Sequence, residues 1–96
     1  MKLTVLVPEV SSCTATQCGY NVGGGCHAKA ITVGDATHPH CDTFLASQQH
    51  THARERAGVG ACKMTACRYN RDLECGADSI RVEPHESHAD CATFAL

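Results

Sequence analysis

Cys13-Thr14-Ala15-Thr16-Gln17-Cys18-Gly19-Tyr20-Asn21-Val22-Gly23-Gly24-Gly25-Cys26 decides the fold, because it returns 49 residues later as Cys62-Lys63-Met64-Thr65-Ala66-Cys67-Arg68-Tyr69-Asn70-Arg71-Asp72-Leu73-Glu74-Cys75. Both copies keep the spacing Cys-x4-Cys-x7-Cys. A fourth cysteine follows after 14 residues in the first copy (Cys41) and 15 in the second (Cys91), so loop length drifts there while the upstream spacing holds. A repeat of this period marks two tandem copies of one unit. The copies also share Thr16/Thr65, Ala28/Ala77, Ile31/Ile80, Val33/Val82, Thr43/Thr93 and Phe44/Phe94. The division that follows is residues 1–45 for the first cysteine repeat, 46–60 for a linker and 61–96 for the second repeat.

Units this short cannot bury a self-sufficient apolar core. The chain has 96 residues with two Phe, two Tyr and no Trp, so aromatic burial is scarce, and eight cysteines are left to staple it. Such a count means either disulfides or metal sites, and the redox compartment separates the two. The apolar run before Pro8 and Glu9 is shorter than a secretory h-region and is not followed by a small-residue cleavage site. No stretch approaches the roughly 20 apolar residues that cross a bilayer. The expectation is a cytoplasmic, non-membrane protein whose thiols stay reduced.

Structural zinc takes four ligands in a tetrahedron and favours thiolate. Cys13, Cys18, Cys26 and Cys41 make one complete set, and Cys62, Cys67, Cys75 and Cys91 make another. Two zinc ions, one per repeat, are therefore expected. Iron is the less favoured ion, because tetrahedral sulfur accepts either, and four disulfides are the alternative without metal. Neither copy has the Cys-x2-Cys knuckle of common zinc ribbons. Of the seven histidines, His27, His38, His40, His85 and His88 lie among the cysteines, but the four-thiolate shell is already closed without them; His50 and His52 fall in the linker.

The fold class expected is small, metal-stabilised and β-hairpin-rich, with two tandem repeats and little regular secondary structure. Tyr20-Asn21 and Tyr69-Asn70 open turns, and Ala28, Ile31 and Val33 alternate as a strand does. Residues 46–60 read as a solvated linker or one short helix. Phe44 and Phe94 read as core plugs beside the sites.

The string Cys-x4-Cys-x-Tyr-Asn, then Cys, Ala-x-x-Ile-x-Val and Cys-x-Thr-Phe, resembles the bacterial family catalogued as domain of unknown function 1540. The resemblance covers Cys13 to Phe44 and Cys62 to Phe94. It implies a small bacterial protein, in the two-copy arrangement typical of such proteins, with the eight cysteines suspected of binding metal. It implies no function.

A closed zinc shell leaves no position for a reactive water, and no nucleophile–base pair stands out, so no enzymatic activity and no catalytic residue is expected. The formal charge of −2 gives no footprint for nucleic acid. The favoured role is a non-enzymatic zinc module that binds an unknown protein partner. A metal storage or sensing protein is the first alternative, and a rubredoxin-like iron electron carrier is the second.

Overall fold

The computed structural model describes residues 7–34 and 38–96. Nine strands follow one another: β1 Glu9–Cys13, β2 Asn21–Val22, β3 Gly25–Cys26, β4 Ala30–Val33, β5 Gly58–Cys62, β6 Asn70–Arg71, β7 Glu74–Cys75, β8 Ser79–His85 and β9 His88–Cys91. Among the described residues there is no helix, and residues 46–57 run as an irregular segment over the first repeat rather than as a helix. The β-rich architecture expected from the repeat is what the chain adopts.

The hairpins are tighter than the sequence pattern suggested. β2–β3 and β6–β7 close two-residue turns at Gly23-Gly24 and Asp72-Leu73. All four turn residues have positive φ, at 61°, 86°, 52° and 69°, as a type I′ turn requires. Glycine adopts that geometry freely, whereas Leu73 does so at a cost of roughly 1–2 kcal/mol. Leu73→Gly is therefore expected to stabilise the protein by about 1 kcal/mol, raising the melting temperature by several degrees. An unchanged melting temperature would show that Leu73 is unstrained.

β4, which continues the alternating segment, pairs with no other named strand of its own repeat. It runs parallel to β5 of the second repeat, and β8 runs parallel to β1 of the first. The central pair β1–β5 is antiparallel, giving the order β4-β5-β1-β8-β9. From β4 to β8 the strands come from the two repeats in turn, and β9 of the second repeat follows β8. The sheet also closes. Segment 38–41 sits beside β4 through a Val33↔Cys41 bridge, as β9 sits beside β8 through Val82↔Cys91. The two segments then meet at His40↔Asp90, where Cys41 N–H donates to Ala89 O and Cys91 N–H to Pro39 O, both at 2.8 Å. The result is a small ring with a pseudo-twofold axis between β1 and β5 at one side and His40 and Asp90 at the other.

The four largest fully buried side chains form two repeat-related pairs, Val10/Val59 and Ile31/Ile80. Simple alternation along β1 would turn Val10 and Ser12 inward. A bulge at Ser11 shifts the register, so Val10 and Cys13 both face the core. Gly60 does the same for Val59 and Cys62. The bulge is the device that brings the first cysteine of each repeat off the sheet surface and into the site.

Candidate metal centre

Each cysteine quartet is assembled by the same backbone path. The Asn21 side chain donates to Cys13 O at 2.6 Å and accepts from Gly24 N–H at 3.3 Å; Asn70 donates to Cys62 O at 2.8 Å and accepts from Leu73 N–H at 3.2 Å. This asparagine clamps the hairpin that carries the third cysteine to the strand that carries the first. Cys18 and Cys67 are set by turns in which their N–H groups donate to Ala15 O and Met64 O. Sequence reasoning assigned Asn21 and Asn70 to turns; their role as clamps became visible only with the fold.

Cys13, Cys18, Cys26 and Cys41 line one cavity of about 10 Å³, together with Ala15, Tyr20, Ile31, Phe44, Val82 and Ala89. That volume is about one water-sized sphere. Phe44 lines the same cavity and packs against the core. Although the strands are exchanged, the quartets are not: Cys26 feels Cys13 and Cys18, Cys41 feels Cys26 and Cys18, Cys75 feels Cys62 and Cys67, and Cys91 feels Cys75 and Cys67.

Burial pushes the Cys41 thiol up to about 12 and raises Cys26, Cys75 and Cys91 above the ordinary thiol value, with neighbouring sulfurs adding to the effect. Backbone N–H groups oppose it. Ala28 donates to Cys26, Ala77 to Cys75, Thr43 and Phe44 to Cys41, and Thr93 and Phe94 to Cys91. Leu45 N–H reaches Cys18 Sγ at 3.5 Å. Donors aimed at sulfur favour the thiolate, the form that binds a metal.

The two sites differ in cover. All four cysteines of the first repeat are buried, whereas Cys67 and Cys75 are half-buried. Segment 46–57 accounts for this: Ser47 N–H donates to Gln17 O, Thr51 N–H to Gly19 O, Ala57 N–H to Cys26 O, and His50 Nδ1 lies 2.6 Å from Asn21 O. His50 and His52 are exposed, as placed from sequence.

Among the described residues, the group whose three ligand atoms all lie within 4.8 Å of one another is not made of cysteines; it is His38, His85 and Asp90. Sequence reasoning missed this cluster. The one signal available was register, since His38 matches His88 and His40 matches Asp90 just ahead of the fourth cysteine.

Fold and site together define a small β-rich, cysteine-quartet protein built from two tandem units. The family model described as Domain of Unknown Function (DUF1540) matches residues 12–53 and 61–94. The chain belongs to this family. No curated protein and no solved structure matches it. Among the described residues no helix is long and apolar enough to cross a membrane.

Proposed function

We propose that each quartet holds one zinc ion and that the protein is a non-enzymatic, cytoplasmic module for binding another protein. The observation that carries the metal reading is that all four cysteines of the first repeat line one small cavity, with backbone N–H donors at the matching cysteines of both repeats. Thiolate softness and tetrahedral stoichiometry favour zinc over harder cations. Four thiolates close the shell, which supports a structural rather than a hydrolytic ion. Exposed Val22 and Leu73 at the two hairpins, with Leu45 beside the first, offer apolar surface to a partner. Two isolated quartets without Cys-x-Cys spacing favour this role over metal storage, and a colourless protein would separate zinc from a rubredoxin-like iron centre.

Native and denaturing mass spectrometry of one sample test the reading. Two zinc masses, lost on denaturation, are expected. A metal-free mass eight hydrogens short of the reduced chain would replace the reading with four disulfides. Because Cys67 and Cys75 are less covered than Cys18 and Cys26, a chelator is expected to take the ion of the second repeat first.

A further inference from the structure

The seam that closes the ring carries a second cluster of ligands, unlike the first in chemistry. Along β9, Ala89 and Cys91 turn inward while His88 and Asp90 turn outward. Where this strand meets segment 38–41, three imidazoles gather around one carboxylate and a fourth, His88, lies against His40. His38 Nε2 is 2.7 Å from Asp90 Oδ2, His85 Nδ1 is 3.7 Å from the same oxygen, and His40 Nδ1 is 3.1 Å from Asp90 Oδ1. The rings of His38 and His40 lie 4.1 Å apart, those of His38 and His85 5.0 Å, and those of His40 and His88 4.5 Å. Asp90 is the most enclosed of the group, with its side chain 16% exposed.

We propose that His38, His85 and Asp90 form a nitrogen–oxygen site for a divalent first-row transition ion, separate from the cysteine quartets. Ligands bound at about 2.0–2.1 Å stand about 3.0–3.4 Å from one another, and the separations of 2.7 and 3.7 Å about Asp90 Oδ2 bracket that range. Two imidazoles and a carboxylate suit such ions far better than calcium or magnesium, which take oxygen. His40 is a positioning residue: its bond to Oδ1 fixes the carboxylate and leaves Oδ2 facing His38 and His85. The ion joins His38 of the first repeat to His85 and Asp90 of the second, so it clasps the ring at the seam where segment 38–41 meets β9.

Zinc binding by the full chain, counted by native mass spectrometry with zinc in modest excess, tests this against His85→Ala. His85 is about half exposed, so its loss leaves the core intact, and circular dichroism checks the fold of the variant. The wild type is expected to hold three ions and H85A two, with H38A matching H85A. His40→Ala is expected to weaken the third ion roughly ten- to a hundredfold without abolishing it. His52→Ala, exposed and outside the cluster, keeps all three. Equal counts in wild type and H85A, or the same loss in H52A, overturn the site. The test also separates the two metal readings: a fall from one ion to none keeps the histidine site and removes the cysteine sites, while two ions in both proteins does the reverse.

Discussion

Cys41→Ser is expected to unfold both repeats together rather than disable one. Cys41 is buried and lines the first cavity with Phe44, so its loss removes one of four thiolates from a site whose ion contributes on the order of 10–16 kcal/mol of apparent binding energy. A 96-residue chain has roughly 5–15 kcal/mol of total stability, so losing most of one site exceeds the margin. The second repeat follows because β8 leans on β1 and β5 on β4. Zinc stoichiometry and far-ultraviolet circular dichroism of C41S check this. A variant that keeps its second-repeat ion and half of its sheet would show that the repeats are independent. The pH dependence has a defined sign. In the metal-free chain the folded Cys41 pKa of about 12 exceeds the unfolded value, about 8.5. Its stabilising effect is therefore full below about 8.5 and is lost as pH rises toward 12. With metal bound the sign reverses, because the ligands are thiolates and acid must protonate them to release the ion. Melting temperature of the zinc-loaded protein against pH, under reducing conditions, should fall on the acid side.

The duplicated ligand spacing, the hairpin turns and the inward-facing pairs Ile31/Ile80 and Val33/Val82 were legible in the sequence because each is a local property of spacing or alternation. Which strand lies beside which was not. Alternation assigns the faces of β4 and β8 but carries no information about partners, and parallel pairing across repeats links residues about 30 to 70 positions apart. The bulge at Ser11 was equally hidden, since serine signals none, whereas a glycine inside a strand, as at Gly60, is a local mark of one. Residues 46–57 look like a linker by polarity, yet their backbone hydrogen bonds cover the first quartet. His38, His40, His85 and His88 looked superfluous beside a closed cysteine shell, and only ring closure brings His38, His40 and His85 onto Asp90, with His88 against His40.

Cutting the chain between Ala53 and Arg54 is expected to leave neither fragment with its native sheet, while an equimolar mixture with zinc recovers it. In the order β4-β5-β1-β8-β9, the first fragment holds β1 and β4, which are never neighbours because β5 lies between them. The second holds β5, β8 and β9, and β1 separates β5 from the other two. Of the five-stranded sheet only the β8–β9 pairing survives within a fragment, and an isolated two-stranded hairpin is marginal in water. Each quartet lies within one fragment, so a fragment can still gather an ion. Val10 and Ile31, or Val59 and Ile80, would nonetheless stay exposed, because each packs in a core made by both halves. Amide hydrogen exchange across β1 and β8 distinguishes the outcomes: no protection in either fragment alone, and native protection in the zinc-loaded mixture. Protected β8 amides in fragment 54–96 by itself would mean that the second repeat folds alone, and the shared ring would then be a packing arrangement rather than the folding unit.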